Sequence, residues 1–182
     1  WVEDRPEIIK QIKSLLDEMK TAQKKASQSI NTIKQRLIAG EWLEKAKAVS
    51  VRNQDPYNPN RPPTLYQWLA GWSDGNHGDW EPEGKIAIAK TKAAYQRAVE
   101  RGEAKEISAT TRELARIVCI CHRVEMLART EIEKLLAQPC FKIYHQVFDD
   151  FGFDLKERAW ILSRIYPFSK FLDENGESVI SY

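Results

Sequence analysis

Apolar or small side chains recur at Ile8, Ile12, Leu15, Met19, Ala22, Ala26, Ile30, Ile33 and Leu37, always three or four residues apart. That spacing lines one face of a helix. Alternating threes and fours is the seam by which two helices wind around each other. Two consecutive steps of four, from Ala22 through Ala26 to Ile30, form a stutter. Asp4 can cap the start, Pro6 suits the first turn, Glu7 suits the positive helix end, and Gly40 suits a stop. The predicted helix has about 32 residues and is about 48 Å long. Ala22 and Ala26, with Gln23 and Ser29 nearby, leave the middle of the seam weak. Such a helix needs a partner to persist in water.

A matching seam lies downstream. Thr110-x-x-Glu113 reads as a capping box, and Leu114, Ile117, Val118, Cys121, Val124, Ala128, Ile132 and Leu135 follow on one face until Pro139. The similar lengths predict antiparallel pairing with the first helix. Residues 85–101 are Ala-rich and helical, ending near Gly102. Between the seams, residues 52–83 hold Pro56, Pro59, Pro62, Pro63 and Pro82 together with Tyr57, Tyr66, Trp68, Trp72 and Trp80. Thr64–Gly71 predicts a short helix with Leu65, Trp68, Leu69 and Trp72 on one face, and Ser73–Asp79 is turn chemistry. So many tryptophans argue for a compact insertion rather than a disordered linker. After Pro139, an aromatic cluster from Phe141 to Phe153 surrounds Gly152, and a helix is expected over Lys156–Ile165. Asp173–Gly176 reads as a turn, and Val179-Ile180 as the start of a strand. The fold class is mainly α: a long antiparallel, coiled-coil-like hairpin with an aromatic insertion and a small helical tail. Its parts are residues 1–51, 52–83, 84–138 and 139–182, the last expected to be truncated.

The net charge of +2 conceals a pattern. Residues 1–55 carry 11 Lys+Arg against 8 Asp+Glu, residues 56–83 carry 1 against 4, residues 84–138 carry 11 against 7, and residues 139–182 carry 5 against 7. Basic blocks alternate with acidic ones, and clustering on a face matters more than the total. At 100° per residue, Arg112, Arg116 and Arg123 fall within about 40° of one another, opposite the apolar seam. Thr130 continues the stripe and Arg129 flanks it, while the first helix adds Lys10, Lys13, Lys20, Lys24, Lys25, Lys34 and Arg36. Two readings fit: a helical surface tracking a phosphate backbone, with Arg112, Arg116, Arg123, Lys20, Lys24 and Arg36 as contacts, or an ordinary solvated face with intrahelical pairs. Pattern alone favours the second. The tryptophans divide the same way, between a stacking platform and the core of a small module.

Other chemistry finds little support. Cys119-x-Cys121-His122 resembles a metal cluster, but residues two apart on a helix point about 200° away from each other, so one ion cannot hold all three. Asp74, Asn76 and Asp79 suggest a calcium loop whose glycine is misplaced and whose twelfth position is Lys85. His77 and His145 have no nucleophile or carboxylate at catalytic spacing, and no phosphate-binding glycine loop or hydrolase motif occurs. No catalytic residue and no cofactor are expected. Three cysteines at uneven spacing suit reduced thiols and a cytoplasmic location. No run of about 18 apolar residues suggests a membrane span. Trp1-Val2-Glu3-Asp4 has neither an initiator Met nor a signal-peptide pattern, so the chain reads as a piece of a larger protein.

One stretch adds a resemblance. Glu131-Ile-Glu-Lys-Leu-Leu-Ala-Gln-Pro is followed by Tyr144-His-Gln-Val-Phe-Asp-Asp-Phe-Gly-Phe153, Arg158-Ala-Trp-Ile-Leu-Ser-Arg-Ile-Tyr-Pro-Phe168 and Phe171-Leu172. Ser29-Ile-Asn-Thr-Ile-Lys-Gln-Arg-Leu37 precedes them. Together these resemble the middle of DEDD-type, RNA-guided insertion-sequence transposases, in a cyanobacterial-looking variant. Phe151-Gly-Phe153 stands where that family carries a G-x-G turn. The resemblance implies a helical hairpin that dimerises and contacts DNA and guide RNA. It also implies an acidic RNase H-like domain before the hairpin and a serine-bearing domain after it. This chain would then be a homodimeric nucleic-acid-binding scaffold without catalysis of its own. The rival expectation is a helical protein–protein interaction module.

Overall fold

The computed structural model describes residues 5–49, 64–71, 85–171 and 174–175. The described residues are mainly helical and include no strand. In chain order the helices are α1 (Pro6–Arg36), α2 (Leu43–Val49), α3 (Thr64–Leu69), α4 (Lys85–Glu100), α5 (Ala109–Leu136), α6 (Lys142–Phe151) and α7 (Leu155–Ile165). The chain divides into two compact units, residues 21–126 and residues 1–20 with 127–182. Each has its own apolar core.

The unit of residues 21–126 is organised by Trp42. α1 does not end cleanly at Gly40. It passes into a π-helical turn, Leu37–Glu41, in which Gly40 adopts φ +127°. The backbone swings out there, and Trp42 becomes extended and pairs antiparallel with Ala104. Lys105 N–H donates to the Glu41 carbonyl at 2.9 Å, pinning the α4–α5 connection beside the turn. The Trp42 ring is 2% exposed and lies 5.7 Å from Trp68 and 5.4 Å from Tyr95, edge to face. Leu37, Leu69, Ile88, Ala98 and Ile107 share this core. Here Trp68 serves as core, not as an exposed platform. Trp72, Trp80 and the 73–79 turn lie outside the described residues. Gln23 of α1 bonds Glu125 of α5, and Arg36 bonds Thr111. Within this unit, positions on α5 fall as those on α1 rise, which is the antiparallel order.

The start and the buried faces of α5 differ from expectation. Its cap is Ser108, whose hydroxyl accepts from Thr111 N–H at 3.2 Å, rather than Thr110. Cys119 and Cys121 are both buried, although they point apart, because α5 is covered on more than one side. A single amphipathic stripe could not reveal that.

In the other unit, Ile8, Ile9, Ile12 and Met19 of α1 share a core with Ala128, Ile132 and Leu136 of α5. Pro139 opens a 3-10 turn to Phe141, and α6 follows. Gly152, at φ +66°, closes α6, with Gly152 and Phe153 N–H groups bonding the last carbonyls. Asp154 and Glu157 form a reciprocal capping box that starts α7. Phe141, Phe148, Leu162 and Tyr166 complete the core, whereas Val147 and Phe151 of the expected aromatic cluster are exposed. Glu174 and Asn175 lie in a turn as expected, and Val179-Ile180 lies outside the described residues.

The φ at Gly40 tests this account. A Cβ there would meet only the Lys105 side chain, 3.8 Å away, so any cost comes from the backbone conformation. Gly40→Ala is expected to lower unfolding stability by about 1–2 kcal/mol, measured by denaturant titration with an unchanged m value.

Candidate nucleic-acid interface

The six cationic residues expected to contact phosphate do not share one environment. Arg36 turns inward. Its Nε donates to Thr111 Oγ1 and its Nη2 to Ser108 Oγ, each at 3.0 Å. Glu41 Oε1 lies 3.8 Å from Arg36 Nε and accepts from Ser108 N–H at 3.2 Å, while Thr111 Oγ1 donates to Glu41 Oε2 at 2.5 Å. The network ties the π turn to the first turn of α5. Burial pushes the Glu41 carboxyl up, but hydrogen bonds from Ser108 and Thr111 and the Arg36 charge outweigh it and hold the carboxyl below its ordinary 4.5.

Arg112 and Arg116 reach α3. Arg112 Nη1 donates to the Leu69 carbonyl at 3.4 Å and Arg116 Nε to the Ala70 carbonyl at 3.3 Å. These carbonyls close a short helix and carry its negative dipole end, which suits guanidinium groups. Arg116 also pairs with Glu113. The face expected to meet solvent is therefore partly covered by α3. Arg123 is half-buried, whereas Lys20 and Lys24 are exposed. On α1, Lys10, Lys13 and Lys20 are exposed in the first-described part of the helix, and Lys24 and Lys25 in the part belonging to residues 21–126. None of these lysines has an ion pair with a carboxylate among the described residues.

The unit of residues 1–20 and 127–182 holds an open groove of about 790 Å³ lined by Leu136, Pro139, Lys142, His145, Phe153 and Arg158, among others. His145 Nε2 donates to the Leu136 carbonyl at 2.8 Å, which leaves Nδ1 to accept from Arg158 Nη1 at 3.3 Å. Arg158 also donates to the Phe153 carbonyl at 2.7 Å and to Asp149 Oδ1 at 2.6 Å. Both imidazole nitrogens are occupied, so His145 holds α5, α6 and α7 together and offers no lone pair for proton abstraction.

The same unit carries a feature the cation count missed. Trp160 of α7 is 53% exposed, and the Arg164 guanidinium lies 4.4 Å from its ring centroid. Lys170 Nζ lies 5.0 Å from the Phe171 ring, and Phe168 is exposed beside it at 6.0 Å between centroids. The spacing Trp160-x-x-x-Arg164 was the available signal, because residues four apart on a helix are neighbours.

Among the described residues, no group of three or more His, Cys, Asp or Glu is placed to hold an ion. Burial pushes the Cys119 thiol up to about 12, so it stays protonated, and the metal-binding form is the thiolate. No helix of the described residues is long and apolar enough to cross a membrane. Comparison with protein-family models, curated proteins and solved structures finds no match.

The Glu41 network makes a pH prediction. A carboxyl whose folded pKa is depressed contributes stability that is full above its ordinary 4.5 and is lost as pH falls through the lower folded value. Glu41→Gln should cost about 1–3 kcal/mol at neutral pH. The gap to the parent chain, measured by urea unfolding across pH, should narrow as the parent's own carboxylate becomes protonated.

Proposed function

We propose that this chain is a nucleic-acid-binding helical scaffold with no catalysis of its own. The observation that carries this reading is the set of exposed lysines on α1, Lys10, Lys13, Lys20, Lys24 and Lys25, without carboxylate partners among the described residues. Seven basic residues against three acidic ones lie within Pro6–Arg36, and Glu7 among the acids is already paired with Arg5. Lysines held this way meet phosphate as point charges, giving sequence-independent attraction that weakens with salt. Arg36, Arg112 and Arg116 then serve to set the surface rather than to touch the ligand, and Arg123 stays a candidate contact. A partner of DNA with guide RNA, a homodimeric state and a transposase or recombinase parent belong to the same proposal. They rest on the motif resemblance alone.

A second reading, a protein–protein interaction module, is favoured by one observation. α6 exposes Ile143, Val147 and Phe151, one turn apart, at 61%, 50% and 70%. Such an apolar stripe suits a helix-to-helix contact with a second copy.

The test is a gel shift with duplex DNA and RNA at two salt concentrations. The parent chain is expected to bind at low salt with a steep salt dependence. Changing Lys10, Lys13, Lys20 and Lys24 together to Glu should abolish binding with the circular dichroism spectrum unchanged. Absence of binding at low salt would overturn this reading and leave the interaction module.

A further inference from the structure

We propose that the α7 edge from Trp160 to Phe171 is a binding strip for single-stranded nucleic acid. This rests on the nucleic-acid reading but names a different surface and a narrower ligand. The residues form a connected series. Arg164 covers one face of Trp160 at 4.4 Å, and the Arg164 carbonyl accepts from Lys170 Nζ at 2.8 Å. The same ammonium reaches the Tyr166 carbonyl at 3.4 Å and lies 5.0 Å from the Phe171 ring, which packs on Phe168. Exposed aromatics and cations thus alternate along one edge.

The composition of that edge decides the ligand. Trp160 is 53% exposed and Phe168 52%, whereas Phe141, Phe148 and Tyr166 of the same unit are buried. A guanidinium on one ring face leaves the rest of the indole open to a planar partner. Neither Arg164 nor Lys170 has an ion pair with a carboxylate among the described residues. On the N-terminal side, Asp154 and Glu157 are occupied by the capping box of α7, and on the C-terminal side Glu174 has no ion pair with Lys170. Lys170 spends two of its three donors on carbonyls and keeps one. Stacking faces beside unpaired cations match bases and phosphates in turn. In a duplex the bases are stacked on one another, so the strip distinguishes the single strand.

The test uses the whole chain, a fluorescein-labelled oligothymidylate, a duplex of equal length, and phosphatidylglycerol vesicles, read by anisotropy and by flotation. Trp160→Ala should weaken single-strand binding about tenfold or more. Duplex binding should change less than twofold, and Trp160→Phe should restore most of the loss. Arg164→Gln with Lys170→Gln should flatten the salt dependence for the single strand. Unchanged oligothymidylate affinity in Trp160→Ala would overturn the strip while duplex binding upheld the wider reading. Equal losses on single strand and duplex would also overturn it, as would binding to vesicles without binding to oligothymidylate. Absence of binding to either nucleic acid would remove both proposals together.

Discussion

A helix as long as α1 stays helical only while its apolar face is covered, because propagation alone barely repays nucleation in water. Both units of the chain meet that demand with the same two elements. In one, the first turns of α1 lie in a core with the last turns of α5. In the other, the last turns of α1 share a core with the first turns of α5. Everything else is built onto these segments: α3 and α4 around Trp42 in one unit, α6 and α7 around Phe141 in the other. Loss of the cover on α1 would therefore affect each core directly, not only the helix.

The seam of α1 was legible because burial follows its period closely. Ile8, Ile12, Met19, Ala22, Ile33 and Leu37 are all buried. Near the start the departures are Leu15, half-buried, and Ile9, buried off the seam; at the stutter, Ser29 is buried and Ala26 and Ile30 are only half-buried. There the straight helix has rotated past the strict repeat. The ends of α4 and α7 were also readable to within a residue or so, α4 from Gly102. What the sequence hid was non-local. Nothing in residues 109–136 says that α3 will lie across the arginine face, so Cys119 was placed opposite the core and Arg112 and Arg116 in solvent. Ser108 displaced Thr110 as the cap for a similar reason, since its position is fixed by Arg36 and Glu41, more than 60 residues upstream.

The alternating charge blocks carry a corresponding lesson. A guanidinium counts the same in a net charge whether it meets solvent or closes a helix end. In this protein Arg36, Arg112, Arg116 and Arg158 are largely consumed by carbonyls, hydroxyls and carboxylates of the chain itself. On α1 lysines hold the outward charge, which fits their strong hydration and flexible stems, while Arg164 is an outward arginine on α7. The division between internal arginine and external lysine separates architecture from recognition more cleanly than a count by segment.

Arg158 gives this division a mechanical meaning. An apolar contact between two helices tolerates slippage by a fraction of a turn, since one methyl group replaces another at little cost. A planar fork with fixed acceptors does not. By gripping the Phe153 carbonyl, His145 and Asp149 at once, Arg158 fixes the rotation of α7 about its own axis against α6. The azimuth at which Trp160 and Arg164 meet solvent is thereby set by a residue half a turn away that never reaches the surface they form.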